Sequence, residues 1–281
     1  MLNSTVLEVA IGMVFSFASV ALIASAVNEA IASVLGWRSK TLLTGVKDLL
    51  NDGKFSGLAR DVYNHALVNP RSDGTAQTEA HLTSRPSYID ANNFALALVT
   101  CIQSVPGDFA ALGNDIDGLP NPQLKRLLKG FYGQAVGDSA VLHRHLASWF
   151  DAAMNRVSGS YKRRSQWMCF LIGLVIAALF NLDAFHLFAS LWAHPTLVTS
   201  LGTAPVAQAA DAMDKLMILP IGWASFPPKA DWGLLAQGVG WLVTASAALF
   251  GAPFWFDIMQ QLLKINLRGT GKKPESPPAG H

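Results

Sequence analysis

Glu29 is the residue whose setting first suggests chemistry. It recurs at four-residue spacing with Ala21, Ser25 and Ser33, with Asn28 and Ala32 beside them, at the end of a long charge-free run. A carboxylate, an amide and a hydroxyl on one face of an apolar helix are what an ion pathway needs. The plainer reading is packing: small residues let helices approach closely, Ser and Asn bond across the contact, and Glu29 meets headgroup water or an arginine. Other groups offer less. His143 and His145 are two apart and point different ways on a helix, so they make a poor metal pair. Asp115-Ile-Asp117-Gly118 matches the opening of an EF-hand loop, but the twelfth position is Arg126, where a bidentate Glu is required. Gly53-Lys54 lacks the rest of a phosphate loop, and there is no G-x-S-x-G or H-E-x-x-H. No catalytic residue, cofactor or metal is expected.

The elements that carry these residues are unusual. The stretches 9–28, 165–182 and 232–256 hold no charged side chain. Crossing a hydrocarbon core about 30 Å thick takes roughly 20 helical residues, so each stretch is long enough or nearly so. The whole chain of 281 residues is 51% hydrophobic and 14% charged, against about 25% charged in an ordinary soluble domain. A net charge of +2 gives no ground for nucleic acid as a partner. Cys101 and Cys169 cannot build a disulfide framework and read as reduced packing residues.

Basic residues near the ends of the stretches set an orientation. Arg38, Lys40, Lys47 and Lys54 follow the first, Arg156 and Lys162-Arg163-Arg164 precede the second, and Lys264, Arg268, Lys272 and Lys273 follow the third. The other side has only Lys215 and Lys229. The N-terminus is therefore expected outside, with 38–164 and the C-terminal tail cytoplasmic. A cleaved leader ending near Ala24-Ser25-Ala26 is the rival reading, but residues 1–9 hold Glu8 and no basic side chain.

The third stretch carries the clearest packing signal. Ala236, Gly240, Thr244, Ala248 and Ala252 form an unbroken small-residue row, which admits a neighbouring backbone from the same chain or from another copy. Pro253 removes a backbone hydrogen bond to Leu249 and predicts a kink. Asp257, just beyond, is a candidate interfacial ion pair with Arg163 or Arg164.

Residues 38–164 read as helices joined by loops: 41–50, 57–65, a helix capped by Asp90 running to Gln103, 122–128, and a long one from about Ser139. That last helix has an apolar stripe through Leu142, Leu146, Phe150 and Val157 and continues into the second stretch unless Ser158-Gly159-Ser160 loosens it. The segments 68–85 and 106–122 read as loop or turn. Outside, 183–193 extends the second helix, and 206–219 reads as an amphipathic helix before Pro220.

Several segments carry a family likeness: Arg85-Pro-Ser-Tyr-Ile with Phe94-Ala-Leu-Ala-Leu; Trp149-Phe-Asp-Ala-Ala-Met-Asn-Arg through Tyr161-Lys-Arg-Arg; Leu219-Pro-Ile-Gly-Trp; Gly251-Ala-Pro-Phe-Trp-Phe-Asp; and Asn266-Leu-Arg-Gly. Together they resemble a widespread, uncharacterised family of bacterial inner-membrane proteins. The resemblance spans most of the chain. It implies a bacterial cytoplasmic membrane and no activity.

The expected architecture is an all-α integral membrane protein with three transmembrane helices and a helical cytoplasmic domain between the first and second. Its parts are 1–37, first transmembrane helix; 38–164, cytoplasmic domain; 165–193, second transmembrane helix and outer extension; 194–231, periplasmic amphipathic segment; 232–257, third transmembrane helix; and 258–281, interfacial helix and disordered tail. The expected partners are the lipid bilayer and either further copies of the chain or other membrane proteins. The expected role is a non-enzymatic protein that forms or scaffolds an oligomeric membrane assembly. A channel is one form of this, with Ser25, Asn28 and Glu29 toward its axis. The alternatives are an accessory subunit of a transporter or secretion machine, and a membrane-bound enzyme acting on lipid or envelope precursors.

Overall fold

The computed structural model describes residues 5–194, 211, 214, 216, 222–223 and 232–269, with side chains up to 264. Among them the regular elements are all helical, as expected. Apart from Asp211, Asp214 and Leu216, the amphipathic helix expected over 206–219 lies outside the described residues, as does the tail beyond 269. The chain divides into two compact units, Ala32–Lys162 and the pair Met1–Ile31 with Arg163–His281.

The first of these units holds helices α2 (Trp37–Leu49), α3 (Leu58–Asn64), α4 (Ala91–Ile102), α5 (Phe109–Asp117), α6 (Pro122–Ala135) and the start of α7 (Ser139–Leu179). Its helix starts are written in short polar side chains. Asp90 accepts from the Asn92 and Asn93 amides, Asp108 from Ala111, and Asn121 from Gln123 and Leu124 ahead of Pro122. Each cap satisfies donors that the first helical turn leaves open. The α3 start has no cap of its own. There the Asp52 carboxylate reaches forward to the amides of Ser56, Gly57 and Ala59.

Two expectations are corrected here. The turn region 106–122 contains α5, because Asp108 caps it and Leu112 and Ile116 bury one face. The helix expected to stop at Leu128 runs on to Ala135. The segment 68–85 is irregular, as read, but is held by amide side chains. Asn64 exchanges two hydrogen bonds with the Ala76 backbone, buried Asn69 donates to the Ser84 carbonyl, and Glu79 pairs with Lys47.

The core of this unit is apolar and aromatic. Phe94 stacks on Phe150 at 4.1 Å between ring centroids, among Leu98, Leu128 and Leu146. Offset aromatic pairs add to the burial of their area. Gly45 lets α2 close on α7, since a Cβ there would stand 2.7 Å from Val157 Cγ2.

The other unit holds α1 (Thr5–Val34), the later part of α7, α8 (Ala184–Ala193), α9 (Trp232–Ala248) and α10 (Ala252–Gly269). Among the described residues, helix α1 alone is long and apolar enough to cross a membrane; the α7–α8 and α9–α10 pairs qualify only as bent spans, turned by 56° and 93°. Helix α7 continues through Ser158-Gly159-Ser160 for 41 residues, about 60 Å of helix. The helix expected over 232–257 is two helices. Three tightened turns end α9 at the carbonyls of Ser246, Ala247 and Ala248, and Gly251 takes φ 76°. Pro253 then occupies the second position of α10, where no backbone donor is needed. The corner is held by the Trp255 indole, which donates to the Ala247 carbonyl and meets Phe17.

Tyr63 is fully buried and its hydroxyl has no hydrogen-bond partner. Burial pushes this phenol well above its ordinary pKa, although Arg85 pulls the other way. Tyr63→Phe removes the orphaned hydroxyl and should raise stability by about 1 kcal/mol. Thermal or urea denaturation followed by circular dichroism measures this, and a clear loss of stability would refute it.

Candidate functional site

The polar stripe of α1 is used inside the chain. Asn28 is 4% exposed and donates from Nδ2 to Ser165 Oγ at 2.8 Å, while half-buried Ser25 hydrogen-bonds the Cys169 thiol. Both contacts join α1 to α7. Glu29 is the one of the three left at the surface. Arg163 and Arg164, on α7, and Asp257, on α10, are also exposed.

The small-residue row of α9 serves the break between α7 and α8. Ala236 is exposed, but Gly240, Thr244, Ala248 and Ala252 are buried. A Cβ at Gly240 would fall 1.7 Å from Asp183 Oδ1 and 3.3 Å from the Ala184 amide nitrogen. Thr244 donates to the Leu182 carbonyl at 2.7 Å. Gly173 of α7 lies against Ala245 and Ala248. Between a partner in the same chain and one in another copy, the row meets its own chain.

The break itself was not anticipated. Asn181 ends α7 in the left-handed region (φ 47°), and the Leu182 amide bonds back to the Ala177 carbonyl at 2.8 Å, as helix C-termini of the Schellman type do. Asp183 then caps α8 through the Phe185 amide. The signal was an Asn and an Asp two apart inside an apolar run, which are a helix stop and a helix start. The Asn181 side chain also accepts from the Trp241 indole and donates to the Gly222 carbonyl, and Trp223 donates to Leu179. These partners make the knot structural.

A concavity suited to binding lies in the helical unit. Asp48 and Leu49 of α2, Gln123 and Leu127 of α6, and Trp149 and Arg156 of α7 enclose about 330 Å³. At its mouth Asn51 bonds the side chains of Asn121 and Gln123. Gln123 and Leu127 also line a shallower hollow of about 490 Å³ along the other side of α6, with Arg126, Gly130 and Phe131. Phe131 is backed by His145 and Trp149, and a Cβ on Gly130 would meet nothing within 4 Å. The two hollows share Gln123 and Leu127 of α6 and together are the groove of this unit, with Arg156 lining one and Arg126 the other. Sequence reading placed the apolar stripe of the long helix α7 but not the groove, which needs three helices to exist.

The residues weighed for metal or nucleophilic chemistry have other engagements. Asp115 and Asp117 sit in α5, where Asp115 accepts from the Ser104 amide and hydroxyl and Asp117 pairs with Lys129 at 2.5 Å. His145 stacks on Phe131, and burial lowers the pKa of His143. Among the described residues no group of three or more His, Cys, Asp or Glu side chains is placed to hold a metal. Burial, and the Asp61 carboxylate after it, push the Cys101 thiol up to about 11.

No model of a known protein family, no curated protein and no solved structure matches the chain.

Two outcomes follow from this geometry. Gly240→Ala should lower the melting temperature of the detergent-solubilised protein markedly, whereas Gly238→Ala, with nothing within 4 Å of its new methyl, should leave it unchanged. Equal melting of the two variants would mean that the α9–Asp183 contact is not made. Cys101, with its thiolate scarce at neutral pH, should react with iodoacetamide roughly a hundredfold more slowly at pH 8 than a free thiol of ordinary pKa, and alkylation at the ordinary rate would refute its burial.

Proposed function

We propose that this chain is a three-pass integral membrane protein, N-terminus outside and C-terminus cytoplasmic, that scaffolds a membrane assembly without catalysing a reaction. On this reading α1 is the first pass and the bent pairs α7–α8 and α9–α10 supply the second and third. The bilayer is the bacterial cytoplasmic membrane, in keeping with the family resemblance. The helical unit is cytoplasmic and docks a partner in its groove.

The observation that carries the membrane reading is the inverted polarity of the unit containing α1. Trp167, Leu171, Val175 and Leu179, one turn apart along α7, are 50–67% exposed, and Leu235 and Val239 of α9 are 62% and 52% exposed. Ser16, Ser19, Asn28, Asp183 and Thr244 are each 9% exposed or less. In water that distribution is unfavourable on both counts. In hydrocarbon exposed apolar side chains cost nothing, since lipid is as apolar as leucine, and enclosed polar groups need internal partners. Ser16, Asp183, Thr244 and the Asn28 amide nitrogen have such partners, while Ser19 Oγ and Asn28 Oδ1 have none among the described residues. Helix α10 fits the interface: Ile258, Met259, Leu262 and Leu263 are half-buried while Asp257, Gln260, Gln261 and Lys264 are exposed.

The groove supports the docking role. An apolar floor flanked by Arg126 and Arg156 suits an amphipathic segment of a partner with acidic residues beside its apolar ones.

A photo-crosslinking amino acid at Gly130, read against the same probe at exposed Gly53, tests the docking proposal in cells. A discrete adduct at Gly130 only is expected, weakened by Leu127→Arg; its mass tells a second copy from a different protein. Equal labelling at both positions, or none, overturns the docking role. Release of the chain from membranes by alkaline carbonate overturns the membrane reading.

A further inference from the structure

The hollow of about 330 Å³ between α2, α6 and α7 is lined by charges of both signs, Asp48 from α2 and Arg156 from α7. Both residues are exposed, and among the described residues neither side chain makes an ion pair or a hydrogen bond. The amides beside them are half used. Asn51 Nδ2 donates to Gln123 Oε1 at 3.2 Å and to Asn121 Oδ1 at 3.4 Å. That leaves the Asn51 carbonyl oxygen as an acceptor and the Gln123 amide nitrogen as a donor. Much of the remaining lining is apolar, Leu127, Val157 and the Trp149 indole among it, and the indole is set edge-on to Phe131.

We propose that this hollow binds a free amino acid with an apolar side chain. Two unpaired charges of opposite sign select for a ligand that carries both. An anion satisfies Arg156 and is repelled by Asp48; a cation satisfies Asp48 and is repelled by Arg156. Covering either charge without a partner is costly, and a zwitterion leaves neither unmatched. The planar guanidinium of Arg156 takes both oxygens of a carboxylate, with the Gln123 amide nitrogen as a further donor. Asp48 takes the ammonium, with the Asn51 carbonyl oxygen as a further acceptor. Trp149, Leu127 and Val157 then meet the side chain, in the usual manner of ligand sites that are mostly apolar with a few convergent polar groups. The size agrees. The hollow lies at the small end of the roughly 300–1,000 Å³ of ligand sites, which suits an amino acid and not a nucleotide. A peptide carries its amine and its carboxylate at opposite ends, whereas one amino acid holds both in a small volume. The site lies wholly within the unit Ala32–Lys162, so it rests on neither the membrane reading nor the docked partner.

The test titrates L-leucine onto the purified full chain in detergent by isothermal titration calorimetry. Wild type should bind one leucine, and Asp48→Asn and Arg156→Gln should each weaken it roughly tenfold, as the loss of a contact to a charged group does. Asp151→Asn and Arg144→Gln, exposed on α7 and absent from the lining, should leave it unchanged; circular dichroism checks that all four variants fold. Two analogues assign the charges one by one. L-leucinamide, without the carboxylate, should bind more weakly than leucine and be indifferent to Arg156→Gln while still sensitive to Asp48→Asn. N-acetyl-L-leucine, without the ammonium, should show the reverse. That crossed pattern supports the proposal. N-acetyl-L-leucine binding as tightly as leucine overturns the zwitterion and leaves an anion site at Arg156. No heat with leucine, or binding indifferent to both Asp48→Asn and Arg156→Gln, overturns the site.

Discussion

The α9 backbone at Gly240 comes so close to the Asp183 carboxylate that no side chain fits between them, and the apolar unit is arranged around that approach. Ending α7 at Leu179 and starting α8 after its cap, Asp183, leaves backbone groups without helical partners beside the buried Leu182 and Asp183. Each such group left unmet would cost several kcal/mol. The break supplies its own partners. Leu182 bonds back to Ala177, Asp183 takes the Phe185 amide, and the Leu182 carbonyl receives the Thr244 hydroxyl. That last bond exists because Thr244 stands one turn from Gly240, and the glycine lets the two backbones approach. The bent helix is thus a property of α9 as much as of α7.

The two units differ in what they bury and what they expose. Around Phe94 and Phe150 the helical unit puts apolar volume inside and caps its helices with Asp and Asn, as a soluble domain does. The other unit also buries apolar side chains, Val9, Phe15, Val20, Ile176, Leu187 and Leu191 among them, but it leaves Trp167, Leu171, Val175, Leu179, Leu235 and Val239 exposed and encloses Ser16, Asn28, Asp183 and Thr244.

Within the helical unit, the groove and the smaller pocket beside Arg38 lie on two sides of one contact. Val157 lines both, and Gly45 lets α2 approach it. A bulkier residue at 45 would push α2 from α7 and reshape the two cavities together. The groove floor of Leu127, Phe131 and Trp149 is aromatic and apolar, whereas the pocket beside Arg38 is made of hydroxyls around a guanidinium.

Much of this was legible in the residues alone. Three charge-free stretches, the cap at Asp90, the long helix from Ser139 and the small-residue row of α9 are local patterns, and local patterns survive in the sequence because helix period, capping and composition act within a few residues. What the row meets was not legible, since small residues admit any close backbone. Only the fold assigned Gly240 and Thr244 to the α7–α8 break, and Ser25 and Asn28 to Cys169 and Ser165. The corner at Gly251 was foreshadowed by the kink that Pro253 predicts, whereas the partners of the Asn181 break and the cavities come from residues far apart in the chain. The sequence by itself determined which segments avoid water and which accept it. The tertiary structure decided which polar groups those apolar segments enclose, because pairing them is a matter of distance between helices and not of order along the chain.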